Sequence, residues 1–259
     1  MTHHTLSSPP SPPTGNTFNI TRHHFKFDVI VVGSGNAGCS AALSAIDNGC
    51  KRVLLIDKCP PEWAGGNGYF TAGAYRTVHR GLSDILDIVS DVDPALAATI
   101  DMEPYTHEQF AQDIVRLSDG HSDPALIKSL VDESRDTTFW LSRRVKIPFV
   151  LSFNRQAYLV DGRQRFWGGI VLAVEDGGRG LIAAYHRALE ESGVGVWFDA
   201  EAIDLALSNE GPSELKVKRG DEVLVLEAFA VILASGGFES SREMRRKYLG
   251  PEWVNARVC

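Results

Sequence analysis

The stretch Asp28-Val29-Ile30-Val31-Val32-Gly33-Ser34-Gly35-Asn36-Ala37-Gly38 decides how this chain folds. Its apolar part, residues 29–32, has no polar alternation, which is typical of a parallel strand that is buried on both faces. Three glycines follow with the spacing Gly-x-Gly-x-x-Gly, and small residues, among them Ala41, Ala42 and Ala45, continue beyond them. The pattern predicts a strand, a tight turn and a helix that packs closely against the strand.

Each glycine of this turn meets a separate steric need. Gly33 permits the tight turn, Gly35 lets the backbone approach a pyrophosphate, and Gly38 lets the helix pack against the strand. The predicted helix begins at about Asn36. The free backbone N–H groups of its first turn, including those of Asn36 and Ala37, attract a negatively charged phosphate group. Glycine triples also arise in ordinary loops, so the surrounding elements have to support this interpretation.

The surrounding elements do support a dinucleotide site. A helix is predicted from about Asn36 to Asp47, and Gly49 follows as its terminating residue. A second apolar strand, residues 53–56, ends at Asp57. An acid about 20 residues beyond the glycine turn is placed to bind a ribose hydroxyl. We therefore predict a dinucleotide site rather than a purely structural strand–helix–strand unit.

Size and composition place the chain among globular proteins. Its 259 residues can bury one large core, and 44% apolar and 23% charged residues are typical of soluble domains. A net charge of −7 without a basic cluster argues against a nucleic-acid partner. No apolar run reaches the ~18 residues of a membrane helix, which predicts no membrane insertion.

The chain begins with a segment rich in Ser, Pro, Thr and His. Residues 1–25 are predicted to be a disordered leader, and residues 26–259 to be the folded domain. Four cysteines without Cys-x-x-Cys spacing predict reduced thiols and a cytoplasmic location. No histidine has an i,i+4 partner outside that leader and no serine lies in a Gly-x-Ser-x-Gly turn, so no metal or hydrolase site is predicted.

A long glycine-rich loop, residues 58–73, replaces the second strand–helix unit of a simple nicotinamide-binding domain. It contains two prolines, which break helices, and four glycines, which leave backbone amides accessible. We expect the loop to follow an extended ligand, with an ordinary surface loop as the alternative.

The middle of the chain is predicted to be mostly helical. Thr106 and Gln109 form a capping box for a helix to about Leu117, and Asp123-Pro124 begins a longer one. The apolar residues at helical spacing in that longer helix are expected in the core: Leu126, Ile127, Leu130, Val131 and Leu141. A short strand at 148–153, a hairpin at 159–165 and a helix at 181–191 follow.

The last part of the chain is predicted to be β-rich. A strand at 194–198 precedes three alternating runs, 201–207, 214–218 and 222–228, which form an antiparallel meander. A separate, fully buried strand at 230–233 then ends at a second glycine corner, Ala234-Ser235-Gly236-Gly237-Phe238, before a new helix. Because ligands lie beyond the carboxyl ends of parallel strands, the two glycine corners are expected to share one crevice.

These motifs together resemble those of the FAD-binding flavoproteins of the fumarate reductase and succinate dehydrogenase family. The resemblance runs from about Phe27 to Trp253. Within the family, residues 62–67 and 236–240 are most similar to the soluble tricarballylate dehydrogenase branch. The motifs that carry it are residues 33–38, Asp57, Glu62-Trp63-Ala64-Gly65-Gly66-Asn67, Gly177-Gly178-Arg179-Gly180 and Ala234-Ser235-Gly236-Gly237-Phe238-Glu239-Ser240.

The resemblance implies an α/β, three-layer Rossmann-like fold with a mainly parallel sheet and an antiparallel β-meander. It implies FAD as the cofactor, and since no histidine lies between Lys58 and Val78 the FAD is expected to be noncovalent. Asp57 would bind the adenosine ribose and Ala202 would lie near adenine. The implied FAD contacts are Gly33, Gly35, Asn36, Ala37, Gly38, Asp57, Lys58, Gly65, Gly66, Asn67, Ala72, Gly73, Ala202, Ala234, Ser235 and Gly236.

The implied activity is hydride exchange through flavin N5 with a small carboxylate substrate. The catalytic acid or base of the family belongs to a capping domain beyond Cys259, so the chain is expected to correspond to the N-terminal part of such an enzyme. Arg76 and Arg80 could contact a substrate carboxylate, with surface arginines as the alternative. A non-catalytic binding module and a nicotinamide-dependent dehydrogenase are the other functions considered, and the sequence identifies no redox partner.

Overall fold

The computed structural model describes residues 19–257 and contains twelve strands and nine α-helices within that range. The strands are β1 (Asn19–Val32), β2 (Val53–Ile56), β3 (Ala74–Tyr75), β4 (Ile100–Met102), β5 (Phe149–Leu151), β6 (Ala157–Val160), β7 (Arg163–Phe166), β8 (Leu172–Val174), β9 (Gly195–Trp197), β10 (Glu201–Ala206), β11 (Ser213–Arg219) and β12 (Glu222–Leu233). The helices are α1 (Asn36–Asp47), α2 (Gly66–Tyr69), α3 (Leu82–Ile85), α4 (Pro94–Ala97), α5 (His107–Leu117), α6 (Pro124–Trp140), α7 (Phe153–Gln156), α8 (Gly177–Glu191) and α9 (Arg242–Tyr248). None of these helices has the length and apolar character needed to cross a membrane.

A six-stranded sheet with the order β10-β11-β12-β1-β2-β9 forms the centre of the molecule. Its strands β12, β1, β2 and β9 run parallel, while β10 and β11 continue the sheet in antiparallel orientation. One face of β1, with Val29 and Val31, packs against a core that includes Leu43 of α1 and Tyr185 of α8. The other face packs against Leu215 of β11. Helices therefore cover one face of the parallel strands, and the meander, which continues the same sheet, packs Leu215 against the other face, in agreement with the predicted α/β fold.

The first strand–turn–helix unit has the predicted boundaries. Helix α1 begins at Asn36 and ends at Asp47, and Gly49 follows it with φ +92°, a left-handed conformation that suits glycine. Strand β2 covers Val53–Ile56 with every side chain buried. The local signals were sufficient because each boundary is set by a glycine or by the end of an apolar run.

Two strand predictions need correction. Strand β1 begins at Asn19, so the last residues of the predicted leader pair with β12, while residues 1–18 lie outside the described range. The separate runs 222–228 and 230–233 form one continuous strand, β12, because no glycine or proline interrupts them. The sequence predicted that the end of this strand is fully buried, and this is wrong. Phe229 is 67% and Leu233 66% exposed.

The middle of the chain carries two small sheets, β3-β8-β5 and β4-β7-β6, beside the predicted helices. Thr106 and Gln109 form the predicted capping box of α5, and Asp123 caps α6. Of the predicted core positions of α6, Val131 is buried, whereas Leu126 and Leu130 are exposed because they lie on its solvent side. The glycine-rich loop contains a 3-10 turn, Pro61–Trp63, and the one-turn helix α2, which the prediction of a loop missed.

Candidate cofactor site

The two glycine corners lie side by side at the carboxyl ends of β1 and β12. The Ala234 N–H donates to the Val32 carbonyl at 2.8 Å. A Cβ atom placed on Gly33 would lie 2.4 Å from the Ala234 carbonyl oxygen, and Gly33 has φ +106°. Gly33 is therefore required both by its conformation and by the second corner packed against it. The two corners share one edge of the sheet, as the sequence predicted.

The glycine-rich loop reaches the same place. The Gly65 N–H donates to the Ser34 hydroxyl at 3.2 Å. A Cβ atom on Gly35 would lie 3.8 Å from the Gly65 carbonyl oxygen and 4.0 Å from the Gly66 Cα. Because Gly35 and Gly66 lack side chains, the backbones of the turn and the loop approach each other closely. Three glycine-containing segments thus converge at the start of α1.

The start of α1 offers unpaired backbone donors to a ligand. Within the described residues no side chain caps this helix. The N–H groups of its first turn, at Asn36, Ala37 and Gly38, have no i−4 carbonyl partner inside the helix. Asn36 and Ala37 are exposed. Such a turn attracts an anionic group such as phosphate.

Asp57, the predicted ribose contact, is held by the first glycine corner. Its Oδ2 accepts the Ser34 backbone N–H at 2.7 Å and the Ser34 hydroxyl at 2.5 Å. Its Oδ1 accepts the Cys59 N–H at 2.9 Å. An ionised carboxylate oxygen can accept a second hydrogen bond, so Oδ1 retains capacity for a ligand hydroxyl. The structure thus places Asp57 beside the corner with its side chain already oriented.

The segment that contains Ala202 passes next to Asp57. The Ala200 N–H donates to the Asp57 carbonyl at 2.8 Å, and the Asp199 N–H donates to the Cys59 carbonyl at 3.1 Å. Ala202 follows two residues later on β10 and is half-buried. Lys58 lies between the two bonded positions and is exposed. The predicted adenine-side residues therefore lie in one neighbourhood.

Helix α8 packs directly against the glycine-rich loop. A Cβ atom on Gly178 would lie 2.2 Å from the Gly68 carbonyl oxygen, and Ile182 packs against Gly65. Gly73, with φ +67°, lies against the start of the same helix at Gly177. The motif Gly177-Gly178-Arg179-Gly180, which the sequence placed before the helix, forms its first turn. These glycines let the loop and helix backbones pack in direct contact.

Sequence reasoning missed two residues that hold this site together. Ser34 is fully buried and contacts both Asp57 and the glycine loop. Tyr185 of α8 is also fully buried, and its hydroxyl donates to the Asn36 side-chain oxygen at 2.7 Å. Desolvation by burial raises the pKa of the Tyr185 phenol, so it remains a neutral donor. Neither role has a local sequence signal, because the partners are distant in the chain.

The two predicted carboxylate contacts, Arg76 and Arg80, have different surroundings. The Arg76 Nη1 atom donates to the Tyr105 hydroxyl at 2.8 Å and to Asp113 at 3.1 Å. Within residues 19–257 no hydrogen bond uses the Nε or Nη2 of Arg76. This side chain lines a cavity of about 1230 Å³. Arg80 is exposed, and its backbone N–H donates to Asp84. Arg80 does not line this cavity, and the cavity lining includes none of the residues predicted to bind FAD.

Two cysteine thiols lie beside the first glycine corner and Asp57. Cys39, Cys50 and Cys59 form no disulfide within the described residues. Burial raises the pKa of Cys39 to about 12, and its thiol donates to the Ser34 carbonyl at 3.1 Å. Burial and the nearby Asp57 carboxylate also raise the pKa of Cys59. Both groups therefore stay protonated at neutral pH, which does not suit a nucleophile.

The convergence of these segments agrees with a comparison against protein families. Residues 28–259 match the family described as FAD binding domain. The chain belongs to this family. FAD is accordingly the cofactor of the fold, in agreement with the expectation drawn from the glycine motifs.

Two curated relatives are similar to most of this FAD-binding domain. The fumarate reductase (cytochrome) of Shewanella frigidimarina is 31% identical over 232 residues, which are 85% of this chain and 35% of the relative. The urocanate reductase of Eggerthella lenta is 28% identical over 249 residues, which are 92% of this chain and 35% of the relative. The chain thus spans about a third of the length of these relatives.

A solved structure shows the same fold. The open conformation of a flavocytochrome c3 fumarate reductase superposes with a TM-score of 0.65 at 23% identity, covering 90% of this chain and 37% of that chain. The α/β fold predicted from the sequence is therefore shared with this solved structure.

The residues at the convergence fit an FAD pyrophosphate. Gly35 has room on its ligand side, because a Cβ atom there would meet backbone atoms only at 3.8 Å or more. A Cβ atom on Gly236, at the second corner, would have nothing within 4 Å. The unpaired N–H groups of α1 supply the positive end of a helix dipole. The cradle is thus open at Gly35 and Gly236 and offers backbone donors at the start of α1, while the Glu239 carboxylate lies beside the neighbouring Gly237.

Proposed function

We propose that this chain is the FAD-binding part of an oxidoreductase that acts on a small carboxylate-bearing substrate. The observation that supports the proposal best is the convergence of Gly33, Gly65 and Ala234 at the N-terminus of α1. When bound, FAD supplies hydride exchange at flavin N5. This chain's own residues bind and orient the cofactor.

The proposed binding roles follow from the contacts. The first-turn N–H groups of α1 hold the pyrophosphate, and the Asp57 carboxylate accepts a ribose hydroxyl. The loop at Gly66, Asn67, Ala72 and Gly73 lies along the pyrophosphate and flavin, and the backbone at Ser235 and Gly236 closes the other side. The remaining proposed contacts are Gly35, Asn36, Ala37, Gly38, Lys58, Gly65, Ala202 and Ala234.

We further propose a noncovalent cofactor and a cytoplasmic location. Residues 58–78 contain no histidine that could form a covalent bond to flavin. The three described cysteines are free, which is the usual state of thiols in a reducing compartment. Within the family, the phrases around Trp63 and Phe238 favour the tricarballylate dehydrogenase-like branch.

The cofactor assignment can be tested with one matched pair of variants. Gly35→Ala introduces a methyl group that the fold tolerates, since its nearest contact is 3.8 Å away and φ is negative, but it occupies the space of the pyrophosphate. We expect the purified wild-type chain to bind FAD and Gly35→Ala to bind it at least about 10-fold more weakly, through lost phosphate hydrogen bonds. Flavin absorbance measures the FAD bound to each purified protein, and titration with FAD measures the two affinities.

Gly211→Ala is the control, because Gly211 lies in a surface turn where the nearest atom is 3.9 Å away. Equal melting temperatures of the ligand-free variants would show that the fold is intact. A wild-type chain that is colourless and takes up no added FAD would contradict the proposal and favour the alternative function, a non-catalytic binding module.

The substrate class is supported by the relatives, and Arg76 is proposed as a carboxylate contact in a cavity whose lining includes none of the proposed FAD contacts. The relatives' names mention fumarate and urocanate, which are carboxylates. The free Nε and Nη2 edge of Arg76 matches a carboxylate in the two-point geometry that guanidinium groups favour. In the FAD-loaded chain, Arg76→Ala should weaken fumarate binding about 10-fold, as measured by isothermal titration calorimetry. Arg116→Ala is the control, because Arg116 lines the same cavity and pairs with the same Asp113. Equal effects of the two substitutions would exclude a specific role for Arg76.

A further inference from the structure

Ser34 connects three parts of the candidate site without being accessible to a ligand. It lies between Gly33 and Gly35 and is fully buried. We propose that Ser34 is a positioning residue that locks the Asp57 carboxylate and the glycine loop into their binding geometry before FAD arrives. This inference rests on the proposed function and adds a residue that acts on the cofactor through its neighbours.

The direction of each hydrogen bond follows from the chemistry of the partners. The Asp57 Oδ2 atom can only accept, so the single proton of the Ser34 hydroxyl is donated to it at 2.5 Å. The Gly65 backbone N–H can only donate, so it uses a lone pair of the same hydroxyl at 3.2 Å. The hydroxyl is thus a relay with one bond to the acid and one to the loop.

The relay supplies one of the three hydrogen bonds that orient the Asp57 carboxylate, and the other two come from the backbone N–H groups of Ser34 and Cys59. Oδ2 of Asp57 accepts two bonds from Ser34, and Oδ1 accepts the Cys59 N–H. These three bonds leave the remaining acceptor capacity of Oδ1 for a ligand hydroxyl. Because the rotamer is set in the ligand-free chain, binding does not have to order the side chain.

The relay also fixes the loop at two glycines whose backbone is intrinsically flexible. Gly65 has φ +107° and Gly66 has φ +56°, both in the left-handed region. Because glycine has many accessible backbone conformations, contacts with neighbouring groups are needed to select this one. The Gly65 N–H is bonded to Ser34 on one side, and Ile182 packs against Gly65 on the other. Removal of the hydroxyl would leave the Gly65 N–H unpaired in a buried place.

Three variants and two readouts test the relay. Ser34→Ala removes the hydroxyl, Ser34→Thr retains it, and Ser44→Ala removes an exposed hydroxyl elsewhere on α1. We expect Ser34→Ala to weaken FAD binding by about 10- to 100-fold, because it breaks one bond to a charged group and one to a buried amide. Ser34→Thr and Ser44→Ala should bind FAD nearly as the wild type does.

Hydrogen exchange of the ligand-free protein provides the second readout. Amides of residues 58–73 should exchange faster in Ser34→Ala, while those of β2 remain unchanged. A double variant with Asp57→Asn should lose less affinity than the sum of the two single losses, because both act through one carboxylate. An additive loss, or unchanged exchange in the loop, would overturn the relay.

The two readouts separate this inference from the proposed function. If the wild-type chain bound no FAD but Ser34→Ala still loosened the loop, the relay would stand and the cofactor assignment would fall. If FAD bound equally well to the wild type and to Ser34→Ala, the cofactor assignment would stand and the relay would fall. A melting temperature of Ser34→Ala close to that of the wild type excludes general unfolding as the cause.

Discussion

The two glycine corners arise from similar sequence but differ in how the rest of the chain encloses them. At the first corner a Cβ atom on Gly38 would lie 1.8 Å from the Gly33 carbonyl oxygen, and Val32 is 9% exposed. At the second corner a Cβ atom on Gly236 would meet nothing within 4 Å, and Leu233 is 66% exposed. The first corner is closed by backbone at Gly38, whereas the second is open at Gly236 and has the Glu239 side chain against Gly237.

The difference shows that an apolar strand followed by glycines does not by itself specify burial. Strand β1 is covered by α1 and α8 on one face and by the meander on the other. The helix after the second corner, α9, begins six residues after Gly236 and packs mainly against the 3-10 turn Pro251–Trp253. Close packing of helix and strand at the first corner makes Gly38 structurally necessary, whereas Gly236 at the second corner serves its backbone conformation.

The largest effect is expected at the first corner, from Gly38→Ala. The added methyl group would overlap the Gly33 carbonyl, so α1 would have to move away from β1. Overpacking of this kind should cost about 3 kcal/mol or more, and the chain should lose its cooperative thermal transition or melt far earlier. Differential scanning calorimetry measures the change.

Gly236→Ala is the matched control at the second corner. Gly236 has φ +75°, so alanine is strained there by about 1–2 kcal/mol, but no atom has to move. If Gly236→Ala destabilised the chain as much as Gly38→Ala does, the distinction between a closed and an open corner would be wrong.

A smaller and more local effect is expected from Arg245→Ala. Arg245 is buried on α9, and its guanidinium donates to the carbonyl groups of Glu239, Trp253 and Val254. It therefore ties the loop after the second corner to the C-terminal turn. Loss of these bonds should cost about 2 kcal/mol of local stability. Amides of residues 239–254 should then exchange roughly 30-fold faster, since 1.4 kcal/mol corresponds to a factor of ten.

Arg246→Ala is the control for this variant, because Arg246 is the exposed neighbour on the same helix. The melting temperature of the whole chain should change little, since α9 packs mainly against its own following turn. Slower or unaltered exchange in residues 239–254 would show that the second corner is held by contacts other than Arg245.

Element boundaries could be predicted from the sequence where a glycine or the end of an apolar run marks them. The bounds of α1 and β2 follow from glycines and from an apolar run, which are local signals. The predicted break between 228 and 230 failed because nothing in the sequence separates the part of β12 that pairs with β11 from the part beyond it. Helical spacing placed Leu126 and Leu130 on one helix, but it does not tell which face meets a neighbour.

The candidate site was predictable in its glycines and acid but not in its supporting side chains. Gly35 and Asp57 belong to a pattern with fixed spacing. Ser34 contacts Asp57 and Gly65, which lie 23 and 31 residues away, and Tyr185 contacts Asn36 across 149 residues. Such contacts depend on the packing of whole elements, so only the folded chain reveals them.

The smallest effect is expected for Cys39, whose thiol reports whether the first corner stays closed. Burial raises its pKa from 9.0 to about 12, which leaves roughly 1,000-fold less thiolate than an ordinary cysteine would have in mildly alkaline buffer. Iodoacetamide should therefore leave Cys39 unmodified in the folded chain and label it after denaturation, while the half-buried Cys50 is labelled first. Because the unfolded thiol ionises near 9.0 and the folded one does not, stability should fall as the pH rises above that value. Peptide mass spectrometry after timed alkylation measures the two rates, and equal labelling of Cys39 and Cys50 in the folded chain would mean that the first corner opens readily and is not closed by its packing.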